Sequence, residues 1–251
     1  MDINTKVSPS LHPAVIESIE GYNDETASHV ADAVRAFTSA YTQLGKIHEF
    51  SEAIEPDTSL TDDAKLLNVA DYAGSRMEAA LRAMQNATDS LGKRIAHAEA
   101  ELNAPLKATK ATTGMTSEIR AHVKALPADE RRAWFAEALE SGDTASLEAV
   151  LAGPGYLSGL KQVEVDHYTR LYQQQQNPQM FRRLQVMKQA SALLEERGGL
   201  VFTGAEKALG RGGFRKAQQV RERVTASQKK VAALKTEQEQ GFLTARRFGV
   251  I

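Results

Sequence analysis

Leu66, Ala70, Ala73, Met77, Leu81, Met84, Thr88, Leu91, Ile95, Ala98 and Leu102 are spaced by three or four residues throughout. Ten steps cover 36 residues, a mean of 3.6, which is the period of an α-helix. No proline falls in the run before Pro105, and Thr61 stands in front of it as an N-cap, with Asp62 and Asp63 in the first turn. The spacing predicts a helix from Thr61 to Ala104, roughly 65 Å long at 1.5 Å per residue. That exceeds the width of a compact domain of this size. A continuous apolar stripe on so long a rod needs an equally long cover. The nearest one in the chain is the preceding segment, where Val30, Val34, Phe37, Tyr41 and Leu44 mark one face of a helix from Asp24 to about Ile54. Pro56 and Asp57-Thr58-Ser59 make the turn between the two. Residues 23–112 are therefore expected to form an antiparallel αα-hairpin, whose alanines let the axes approach closely. The candidate interface is the stripe itself, from Leu66 to Leu102.

The rest of the chain reads as shorter helices. Residues 1–22 hold Pro9, Pro13 and Gly21 and form an N-terminal arm with at most a short helix near Ala14–Ile19. Residues 113–197 form a helical middle. Its expected helices are Ala128–Glu140, Asp143 or Thr144 to Leu151, Ser158–Gln175 and Pro178–Arg197, separated by glycine- and proline-bearing breaks. Residues 198–251 begin with a glycine-rich loop or short helix. A last helix, Arg215 to about Gln240, follows, with Ala217, Val220, Val224, Ser227, Val231, Leu234 and Gln238 alternating by three and four. That is a three-heptad seam of modest hydrophobicity, flanked like a coiled coil. No segment alternates like a strand, so the fold class is all-α.

Composition removes several function classes. No run of 18 apolar residues exists, which argues against a membrane-spanning helix. The absence of cysteine removes disulfides, thiolate metal sites and cysteine nucleophiles. The formal net charge of −1 conceals an asymmetry. Residues 1–179 carry 16 Lys and Arg against 26 Asp and Glu, and residues 180–251 carry 15 against 6. The basic third offers Arg182, Arg183, Arg211, Arg215, Lys216, Arg221, Arg223, Lys229, Lys230, Arg246 and Arg247. These side chains could neutralise phosphates without reading sequence, or dock on an acidic protein surface. No helix-turn-helix or RNA-binding module accompanies them.

Motifs for catalysis or metal binding are sparse. Glu164 and His167 form a single E-x-x-H on an expected helix, whereas a di-metal bundle needs two such motifs and two further glutamates. Glu25/His29, His97/Glu101 and Glu118/His122 have the spacing of ordinary helix-surface pairs. Gly204–Gly213 is rich in glycine but lacks the P-loop order, and the glycines around Ser158 do not make a nucleophile elbow. The expectation is a protein without catalytic residues, cofactor, metal or small-molecule substrate.

The stretch LPADERRAWFAEALESGDTASLEAVLAGPGYLSGL, Leu126 to Leu160, resembles segments of alanine-rich helical proteins of bacteriophages and prophages that lie among virion genes. The resemblance spans about 35 residues and carries no functional residues with it. It implies a structural or assembly protein, found in the virion or in the host cytoplasm during assembly. Such a protein would work as a homo-oligomer and with other virion proteins. The alternative reading is a nucleic-acid-binding module using the basic third.

Overall fold

The computed structural model describes residues 3–104, 106, 115–210 and 212–247, with side chains as far as 238. Pro105, Gly114 and Arg211 lie outside the described residues. The fold is all-α. Its helices are α1 (Ala14–Glu17), α2 (Asp24–Ile54), α3 (Asp62–Leu102), α4 (Thr116–Ala125), α5 (Ala128–Glu140), α6 (Thr144–Leu151), α7 (Gln162–Gln176), α8 (Pro178–Arg197), α9 (Gly199–Leu209) and α10 (Gly213–Arg247). No strand occurs among the described residues. Two compact units emerge. The first comprises Met1–Val15, Ala33–Ala87 and Leu194–Ile251, and the second Ile16–Asp32 and Thr88–Leu193. These units cut across the divisions expected at residues 22, 112 and 197. Helices as long as α2 and α3 outrun one core and take part in two.

In the first unit, Phe50 of α2 stacks on Tyr72 of α3 with centroids 4.3 Å apart. Arg76 lies over the same ring and donates to Gln43 at 3.3 Å. In the second unit, Asp32 of α2 accepts from Ser90 at 2.9 Å and from Arg94 at 2.8 Å. Thr61 caps α3 by accepting from the Ala64 amide at 3.2 Å. The buried face of α3 shifts from the expected stripe at Leu81 and at Thr88, which is half-buried. Leu81 is 41% exposed, and Ala80 and Ala87 are buried instead, in sequence with Ala73, Met84 and Leu91. The same happens on α2, where Ala33 is buried and Val34 only half-buried. Hydropathy favours the larger residue of each adjacent pair, but close helix packing favours the smaller.

The arm folds onto the first unit. The Asn4 amide donates to the Tyr41 hydroxyl at 2.6 Å, and that hydroxyl donates back to the Asn4 carbonyl at 3.1 Å. Helix α9 lies close to α2. Gly204 sits where a Cβ would come within 2.9 Å of Leu44, and Ser51 donates to the Ala208 carbonyl at 3.0 Å.

The second unit has its own core of Val123, Phe135, Leu147, Val150, Leu151 and Leu160, with Val165 and Tyr172 from α7. Asp143 caps α6 through the Ser146 amide at 3.1 Å. The Arg131 guanidinium closes the turn between α4 and α5. It donates to the carbonyls of Val123 (3.1 Å), Leu126 (2.9 Å) and Gly159. Helix α7 starts later than its apolar spacing predicts. Gly155–Leu157 is a 3-10 turn and Gly159 takes φ +70°, so the chain bends before Glu164 accepts from the Lys161 amide at 2.8 Å and opens the helix.

Candidate interaction surface

Helix α10 carries most of the basic residues singled out in the sequence, and its two parts differ. It starts after Gly210 and Gly212, which take φ +80° and +73°, a region that only glycine occupies without strain. Phe214 then stacks on Phe202 of α9, with centroids 5.4 Å apart. Ala217 and Val220 are buried. Arg221 pairs with Asp71, and Arg223 with Asp63 at 3.1 Å, both aspartates on α3. Beyond that point the seating ends. Every residue from 222 to 238 is exposed, including Val224 (41%), Val231 (48%) and Leu234 (64%).

The basic set is thereby divided. Arg182 and Arg183 belong to the second unit, where Arg182 is exposed and Arg183 half-buried with its Nε enclosed and unpartnered. Arg215, Lys216, Arg221, Arg223, Lys229 and Lys230 belong to the first. Arg211 is outside the described residues, and Arg246 and Arg247 lie on α10 beyond its described side chains. The charge asymmetry of the sequence is met in part inside the chain, since Arg221 and Arg223 hold aspartates of the acidic α3. Sequence reasoning missed Asp63 and Asp71 as their partners. The signal was the charge split itself, but nothing in a linear sequence says which acids a given arginine reaches.

The histidine pairs do not form a metal centre among the described residues. Glu164 is engaged as the cap of α7, and His167 lies edge-on to Tyr168, with centroids 5.3 Å apart. His97 and Glu101 approach to 3.7 Å on an exposed helix face. Burial holds the pKa of His48 below its ordinary value, and the ammonium groups of Lys207 and Lys6 push it the same way. His29 is lowered too, by burial and then by Arg183 and Arg94. Tyr172 is pushed up to about 12 by burial and by its 2.8 Å hydrogen bond to Glu148. It is a structural phenol of the second core. A cleft of about 590 Å³ in the second unit is lined by Asn103, Gly153, Gln162, Asp166 and Thr169, with Leu151 at its apolar wall. Asp166 there accepts from Gln162 at 2.8 Å. No helix among the described residues is long and apolar enough to cross a membrane. The chain matches no family model, no curated protein and no solved structure.

Proposed function

We propose that this protein is a structural or assembly component that works through protein–protein contacts in an oligomer, in the setting of a bacteriophage particle. The observation that carries the reading is the unseated part of α10. A polar helix with a weak apolar seam gains little from folding alone, because isolated helices are marginal in water. Its seam has a use when another protein surface covers it. The long paired helices α2 and α3 supply a stiff support for such a contact. The phage setting rests on the resemblance of residues 126–160, which build α5, α6 and the turn into α7. The test is the mass of the full chain in solution, by light scattering at low and high salt over a range of protein concentration. An oligomer is expected. A monomer under every condition overturns the reading.

The rival reading, contact with nucleic acid, draws on Lys229, Lys230 and Lys235, three cations on the exposed part of α10. Binding of a DNA or RNA duplex that weakens steeply with salt, and that is lost when these lysines are replaced, would favour it.

A further inference from the structure

Between Val224 and Gln238 no residue of α10 has a partner elsewhere in the chain among the described residues. Among those residues Thr236 donates to the carbonyl of Ala232 in its own helix, at 3.0 Å. The apolar positions nonetheless continue the spacing of Ala217 and Val220, which are buried. Set in heptads, Val224, Val231 and Gln238 occupy one seam position, and Ser227 and Leu234 the other.

We propose that this stretch is covered by the same stretch of a second copy of the chain, running antiparallel. The proposal rests on the assembling role argued above and names the surface that performs it. Charge decides the direction. In a parallel pair, Lys230 of one copy would flank Lys235 of the other, on both sides of the two-fold axis, and like charges repel. In an antiparallel pair with Val231 against Leu234 of the second copy, Lys230 meets Glu237 of the second copy. The two-fold axis repeats that contact. The other flank sets Gln228 beside Lys235, which is neutral. Ser227 then faces Gln238, so polar layers border the two apolar ones and fix the register, as buried polar residues do in coiled coils. An isologous contact of this kind is closed and gives a dimer rather than a fibre. With only two apolar layers at its centre the contact is small, and association is weak and concentration-dependent.

Sedimentation of the full chain across protein concentration tests it. The wild type is expected to dimerise. Leu234→Asp lies on an exposed position, so it leaves the helical circular dichroism unchanged, but it buries two carboxylates in the dimer and weakens association on the order of a hundredfold. Lys230→Glu weakens it as well, and the exchange Lys230→Glu with Glu237→Lys restores it. The chain has no cysteine, so a mixture of Lys230→Cys and Glu237→Cys variants reads the direction. With an added oxidant, the mixed disulfide is expected to form in preference to either homodimeric one. A wild type that oligomerises with no response to Leu234→Asp and no mixed disulfide overturns this interface and leaves the assembly reading standing. A wild type that stays monomeric at all concentrations overturns both. A monomer whose DNA binding is lost in Lys230→Glu overturns them in favour of the rival.

Discussion

Helices α3 and α10 carry the same kind of pattern and meet different fates. Both are long, and both place apolar residues at steps of three and four over most of their length. On α3 the stripe is buried at intervals from Val69 and Ala70 through Ala80 and Leu91 to Leu102. On α10 it is buried at Ala217 and Val220, and beyond them Val224, Val231 and Leu234 are exposed. The difference lies in what is available to cover each helix. Helix α3 has a partner of comparable length directly before it in the chain. Among the described residues, helix α10 meets α9 and the start of α3 with its first turns. A periodic pattern therefore marks a face, and the elements within its reach decide whether that face is buried in the chain.

The largest expected contrast between the two helices is in amide hydrogen exchange, measured at concentrations where the chain is monomeric. Amides of α3 around Ala80–Leu91 should exchange only through extensive unfolding. Those of α10 beyond Val224 should exchange through local fraying, orders of magnitude faster. Equal protection in both would erase the comparison.

Side-chain truncation sharpens it further. Leu91 is fully buried, so Leu91→Ala should cost about 2–5 kcal/mol in a urea melt. Leu234→Ala, under the same monomeric conditions, should stay within about 0.5 kcal/mol of wild type, as surface changes do. A large loss at Leu234 in the monomer would mean that α10 is seated after all.

Much of this was legible in the sequence, and the misses have a common cause. The bounds of α2, α5 and α8, and the cap at Thr61, follow from periodicity and capping chemistry, because those signals are local. The choice of Leu81 over Ala80 fails because hydropathy ranks residues by size. Two tightly apposed helices instead reward the smaller one. The late start of α7 fails because Gly155 and Gly159 shape a turn whose need arises from the Arg131 bridge. That bridge joins residues 28 apart in sequence. The candidate surface was half visible. Its seam could be read as a pattern, but its exposure depends on where α3 begins.

Glycine substitutions ask whether the long helix needs its breaks. Gly74 and Gly92 lie inside α3, and a methyl group at either meets nothing within 4 Å. Each is a helical residue without a packing reason to be glycine. Gly92→Ala should therefore raise stability by about 0.5–1 kcal/mol, because alanine loses less backbone freedom on folding. A loss of stability instead would show that α3 needs flexibility at that point, and that it is less uniform a rod than its burial pattern implies.

The smallest effect is expected where α10 passes from seated to exposed. Arg223 and Asp63 form an ion pair at 3.1 Å, and both side chains are more than half exposed. Water screens such a pair, and a double-mutant cycle with Arg223→Ala and Asp63→Ala should return about 0.2–1 kcal/mol, shrinking as salt is added. Asp63 also sits in the first turn of α3, where its charge favours the helix dipole. The single change Asp63→Ala should therefore cost more than Arg223→Ala, and the coupling term alone reports the contact between the helices. A coupling of zero would move the boundary between the two parts of α10 back to Val220 and leave Arg221, with its partner Asp71, as the last tie between this helix and α3.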